Sequence, residues 1–303
     1  MALGSEMYDA SLTLARMKDG TPLVLVLFAS LLTCWWFAPT TAEWLALALM
    51  ICAGIPHGSF DLRVAEAKWK HAPFSRRTIL ITYLLSVFGM AGLCVFAPLI
   101  GLSLFIIISA IHFSEGEISA SAPPSELLGS AIGVSAILLP IGLHPQQAQA
   151  YMSYFVPQGI FVTIEGTLII ASHITAYLLG LILVVLLLRG SNRDTTETFQ
   201  RLTCLCAWVV LPPLSGFAVW FIGRHSRQHL AACHALFTRG RFQIPMDFML
   251  ISLLAILGLL PFALRFDFSR LEELFAASIC LIAGLTLPHM VVSHRMKELA
   301  SSR

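Results

Sequence analysis

Five of the chain's ten histidines, His57, His112, His225, His229 and His289, stand within or at the ends of long apolar runs. A polar ring at bilayer depth is costly and marks a task by default. Helix counting puts all five at a similar level. His57 is fourteen residues past Glu43, His112 fourteen past Pro98, His225 and His229 eleven and fifteen past Leu214, and His289 eighteen past Leu271. At ~1.5 Å per residue these offsets correspond to about 16 to 27 Å below one membrane face. His225 and His229 are also spaced i, i+4, which on a helix points both rings to one side and allows them to share one ion. Taken singly, each is better read as a buried histidine bonded to a carbonyl. As a depth-matched set they point to a metal or a cofactor, because several imidazoles in hydrocarbon are otherwise hard to satisfy.

Carboxylates near these rings have a natural use, since a ligating imidazole usually gives its second N–H to a carboxylate or carbonyl. Asp61 lies four residues after His57 and Glu115 three after His112, so each shares a face with its histidine if the helix continues. We read Asp61 as such a partner; for Glu115 and Glu117 the plain alternative, a wet helix end, weighs equally. Arg224 and Arg227 are expected to reach lipid headgroups by snorkelling. His71 and His294 read as solvated, and His144, His173 and His234 fall outside the set.

The elements that must position these rings follow from composition. Of 303 residues, 57% are apolar and 12% charged, against roughly 25% charged in soluble domains. A soluble fold is excluded. Apolar runs of about 20 residues match the hydrocarbon core, and the fold class is therefore all-α, a polytopic transmembrane helical bundle of about ten helices (eight to ten). The candidates run Thr21 to Ala38, Glu43 to Phe60, Arg77 to Ala97, Pro98 to Ser114, Glu126 to Leu143, Gly166 to Leu188, Phe199 to Leu211, Leu214 to Phe237, Pro245 to Leu264 and Leu271 to Val292. Prolines fall at or near the proposed ends, the Pro212-Pro213 pair above all. The whole chain, 1–303, reads as one integral-membrane domain, with a short cytoplasmic segment at 1–19 and a cytoplasmic tail at 294–303.

Lys and Arg set the orientation. Arg63, Lys68, Lys70, Arg76 and Arg77 crowd the loop after the second candidate, whereas His144 to Glu165 has neither residue type. Both ends are then cytoplasmic, in a bacterial-type inner membrane; Arg265 and Arg270 run against the scheme. Acidic residues at Glu6, Asp9 and Asp19 argue against a cleaved signal peptide. The seven cysteines form no CxxC pair and read as small buried hydrophobes. A net charge of +2 with scattered basic residues speaks against nucleic acid as a partner.

Four short elements carry a resemblance. Gly54-Ile55-Pro56-His57-Gly58-Ser59-Phe60-Asp61 matches G-x-P-H-G-x-x-D, His112-Phe113-Ser114-Glu115-Gly116-Glu117 is similar to H-F-G-x-x-D, His225-Ser226-Arg227-Gln228-His229 resembles H-S-x-R-H, and Pro288-His289 matches a late P-H pair. In that order they resemble the Brp/Blh family of membrane β-carotene 15,15′-dioxygenases, from about Gly54 to Met290. The resemblance implies one iron(II) held by His57, His112, His225 and His229, with β-carotene and O₂ as substrates and two molecules of retinal as product, and a functional link to a rhodopsin. It leaves His289 open between a further ligand, a donor to a ligand and a substrate contact. Four positions depart from the pattern: Ser114 for Gly, Glu117 for Asp, Arg224 for a Trp, and Gln228 for Arg.

The chemistry is consistent with that set. Adding O₂ across a C=C bond to make two carbonyls is redox balanced and needs no reductant, only an ion with positions open to oxygen and substrate. Competing readings fit less well. A haem electron-transfer protein wants ligand pairs on facing helices, which an i, i+4 pair serves poorly. A transporter predicts helices broken at the midplane, and a di-iron desaturase predicts HxxHH boxes, which the chain lacks.

Overall fold

The computed structural model describes residues 20–69, 75–118, 126–189, 192–237, 266–267 and 269–294. The helix expected over Pro245 to Leu264, the segment 1–19, the tail beyond His294 and His71 lie outside the described residues. The described chain is all-helical: α1 (Gly20–Phe37), α2 (Pro39–His57), α3 (Asp61–Lys68), α4 (Arg76–Phe96), α5 (Pro98–Ile118), α6 (Glu126–Leu143), α7 (Pro145–Met152), α8 (Gln158–Arg189), α9 (Asn192–Val210), α10 (Pro213–Trp220), a π-helical turn (Phe221–Ser226), α11 (Arg227–Phe237) and α12 (Leu271–Ser293). Among the described residues six helices, α1, α4, α5, α6, α8 and α12, are long and apolar enough to cross a membrane. The protein is an integral membrane protein.

Expected boundaries move in two places for a local reason, and the helix expected over Phe199 to Leu211 begins earlier, at Asn192. The second helix stops at His57 rather than Phe60, because Gly58-Ser59-Phe60 forms a turn in which the Asp61 amide bonds the Gly58 carbonyl and Asp61 opens α3. The stretch from His144 to Glu165, expected as a loop, is largely helical. Pro145 sits in the first turn of α7, where its missing N–H does no harm, and α8 already begins at Gln158. Pro140 falls near a helix end as expected, in the last turn of α6, whose bounds are the expected Glu126–Leu143. Pro212-Pro213 does break the chain, between α9 and α10.

The described residues form two compact units, one taking Ala53–Ser109 and the residues from Gln228 onward, the other the residues up to Cys52 and Ala110–Arg227. In the first, α12 packs along α4 and against α3. Gly284 lies so close to the Val87 carbonyl that a Cβ there would stand 2.8 Å from it, which lets the two backbones approach. Phe60, Leu62, Val64, Ile79, Tyr83, Val87, Cys233 and Val292 form its buried cluster. Cys94 and Cys280 are buried as expected, whereas Cys52 is exposed.

In the second unit, α9 packs on α8, α10 and α1, and α6 packs on α8. Trp208, Trp220, Leu139, Leu183 and Leu211 are fully buried there. Glu43, buried on α2, supplies the cap that Pro212-Pro213 cannot. Its carboxylate accepts from the Leu214 amide (3.3 Å), the Ser215 amide (3.1 Å), the Ser215 hydroxyl and the Tyr151 hydroxyl (2.9 Å). The first turn of α10 thus has its orphan donors satisfied from another helix. Glu43→Ala strands two amides and two hydroxyls in the interior and is expected to cost about 2 kcal/mol. Thermal melting in detergent tests this; an unchanged midpoint would show that water replaces the carboxylate.

Candidate metal centre

In the first unit, His57 ends α2, His229 lies on α11 and His289 on α12. Their rings meet: His57 to His229 at 4.4 Å between centroids, His57 to His289 at 4.7 Å, and His229 to His289 at 4.9 Å. One nitrogen from each falls within 4.8 Å of the other two. Metal–imidazole bonds are about 2.0–2.1 Å, so a small inward movement closes this triangle around one ion. His57 and His289 are buried and His229 half-buried. Three neutral nitrogen donors in a dry setting suit a divalent transition metal, iron among them. The residues therefore fit such an ion.

Asp61 is also placed here, by a different route from the one its spacing suggests. The helix does not continue from His57, so the carboxylate leaves its sequence neighbour and meets His289, 228 residues away, whose Nδ1–H donates to Oδ1 at 2.7 Å. Its other oxygen accepts from the Tyr83 hydroxyl at 2.8 Å. Gly58 makes room, since a Cβ there would press to 3.3 Å on the Asp61 carboxylate. On α11, the Cys233 sulfur lies 3.5 Å from His229 Nε2.

In the second unit, His112 on α5 and His225 in the π-helical turn lie with ring centroids 5.1 Å apart. His225 stacks on Trp220 at 5.2 Å and on Phe221 at 5.9 Å, and meets the edge of Phe113 at 4.7 Å. Trp220 precedes His225 by five residues, a spacing that an α-helix sends to different sides. The wider π turn brings both rings to one face, a device that recurs at functional sites. Gly116 admits the ring from the α5 side, where a Cβ would stand 3.4 Å from it.

Arg224 turns inward instead of reaching lipid headgroups, and of the two readings of Glu117 the wet helix end falls. Arg224 is 0% and Glu117 2% exposed. They form a two-pronged ion pair, Nε to Oε1 at 2.6 Å and Nη2 to Oε2 at 2.9 Å, which ties α5 to the π-helical turn. Arg201 adds a third contact to Glu117 at 3.3 Å and reaches Glu197 at 3.6 Å. Two of the four departures from the sequence pattern are thus the two partners of one bond. Of the histidines set aside, His173 is exposed and bonded to the Ile169 carbonyl, and His234 packs on Phe60. His144 donates to the Trp208 carbonyl, and burial holds its imidazole below the usual histidine range, hence neutral.

Tyr83, Gly116 and Cys233 were not singled out by sequence. Their residue types carry no spacing signal, and the partners of Tyr83 and Gly116 lie far along the chain. Comparison with known proteins points to the family that the ordered sequence elements resemble. The family model described as beta-carotene 15,15'-dioxygenase matches residues 48–297. A relative from uncultured marine bacterium 66A03, named beta-carotene 15,15'-dioxygenase, is 29% identical over 200 residues, covering 62% of this chain and 68% of its own. No solved structure matches the chain.

Proposed function

Because the chain belongs to the beta-carotene 15,15'-dioxygenase family, we propose that it cleaves the central 15,15′ double bond of β-carotene with O₂, giving two molecules of all-trans-retinal. The observation that carries the reading is the cluster of His57, His229 and His289 with the Asp61 carboxylate, in a chain with six described helices long and apolar enough to cross a membrane. The reaction balances without a further reductant: the C=C and O–O bonds break, two C=O bonds form, and O₂ takes up the electrons. Iron(II), if bound by imidazoles of this set, would supply oxygen activation. The resemblance implies His57, His112, His225 and His229 as its ligands.

The side chains perform three tasks. Neutral imidazoles bind a divalent ion without adding negative charge within the bilayer. Asp61 fixes the orientation of the His289 ring through Nδ1, and Trp220, Phe221 and Phe113 hold the His225 ring by stacking. The apolar helices admit an oily substrate laterally, so no aqueous mouth is needed. The distribution of Lys and Arg supports an inner-membrane location with both ends of this chain cytoplasmic, and a rhodopsin is a natural receiver of retinal.

Expression in cells that accumulate β-carotene, with iron and air, tests the function. Retinal is expected to accumulate as carotene disappears, in a ratio approaching two to one. Unchanged carotene beside folded, iron-loaded protein would reject β-carotene as the substrate. A shorter apocarotenal in place of retinal would reject central cleavage.

A further inference from the structure

The geometry points to His289 as a metal ligand through Nε2, held in place by a relay from Tyr83 through Asp61. This rests on the iron-dependent reading above and deepens it, since neither the ordered motifs nor the family match gives His289 a role. The ring is buried on α12, and Nδ1 is committed to Asp61 at 2.7 Å. With the proton on Nδ1, the neutral ring offers its lone pair from Nε2, the opposite nitrogen. That ring lies 4.7 Å from His57 and 4.9 Å from His229, within the group whose donor atoms all fall inside 4.8 Å.

A buried carboxylate beside a lone histidine has a structural explanation, a bond that joins α3 to α12. Two features go beyond it. Both carboxylate oxygens are engaged, Oδ1 by His289 and Oδ2 by Tyr83 at 2.8 Å, so the carboxylate cannot swing and the ring plane is set. Asp61, 1% exposed, also stands one hydrogen bond away from the cluster of three imidazoles. A carboxylate behind a histidine raises the basicity of its far nitrogen and is the usual outer support of a ligating imidazole. Tyr83 on α4 is thereby a positioning residue for the metal, acting through two other side chains.

The test uses the purified full-length protein, stripped by chelator and titrated with cobalt(II), whose visible bands report ligand number and geometry. Iron content measured on separately loaded samples gives a second readout. His289→Gln is expected to weaken cobalt binding by at least 100-fold. Asp61→Asn and Tyr83→Phe are each expected to weaken it by about 10–100-fold, with shifted bands, in protein that elutes as the wild type does in size exclusion. Wild-type affinity and bands in His289→Gln, while His57→Ala binds no cobalt, would overturn the ligand assignment and leave the metal reading standing. Unchanged bands and affinity in Tyr83→Phe would overturn the relay. Failure of the wild type to bind either metal would overturn the metal reading and this inference with it.

Discussion

Glu117→Ala is expected to destabilise the protein by about 3–5 kcal/mol, more than Arg224→Ala, although the two residues share one ion pair. The asymmetry follows from what each change leaves behind. Without Arg224, Glu117 retains the Arg201 guanidinium at 3.3 Å and the Trp220 indole N–H at 3.4 Å. Without Glu117, Arg224 and Arg201 both face the vacated position, and among the described residues the fully buried Arg224 keeps one hydrogen bond, to the Gln200 oxygen at 3.3 Å, and the more distant Glu197 carboxylate. An uncompensated buried charge costs far more than a lost hydrogen bond. The double variant Glu117→Ala/Arg224→Ala is expected to cost less than the sum of the singles, because the second change removes the stranded charge. Thermal melting of the four proteins in one detergent decides the matter. Equal losses for both single variants, or simple additivity, would show that water or a counterion enters and that the pair does not act as a unit.

The same pair shows why part of the site was legible in the sequence and part was not. Histidine depth depends only on helical rise, so counting from helix starts placed His57, His229 and His289 at one level, and the structure brings those rings together. The break at Pro212-Pro213 was readable because proline's missing N–H acts locally. The burial of Arg224 was not readable, since a guanidinium snorkels or pairs according to a partner 107 residues away. Asp61 was assigned a role as an imidazole's partner, but its spacing pointed to His57, and a three-residue turn redirected it to His289. The π-helical turn has no sequence signature of its own, yet it decides which aromatic rings His225 stacks against. The helix α7 and the early start of α8 were hidden because a segment without Lys or Arg reads as an external loop when basic charge is the guide.

His57→Ala is expected to abolish both metal binding and retinal formation. His57 ends α2, and its ring touches both His229 and His289, so removing it opens the triangle on two sides at once. Loss of an outer partner of a ligand typically costs 10–100-fold in affinity, and loss of a donor itself is expected to exceed that range. His173→Ala, exposed on α8 and bonded only locally to the Ile169 carbonyl, is expected to retain full metal content and activity. Heat stability provides a readout independent of turnover, because a ligand that binds only the native state stabilises it by mass action. The gain is about 2.7 kcal/mol at a hundredfold excess over Kd. Added metal should therefore raise the melting point of the wild type and of His173→Ala, and leave that of His57→Ala unchanged. A metal-dependent rise in His57→Ala with activity lost would move His57 from holding the ion to contacting the substrate. The rise and full activity together would remove it from the site.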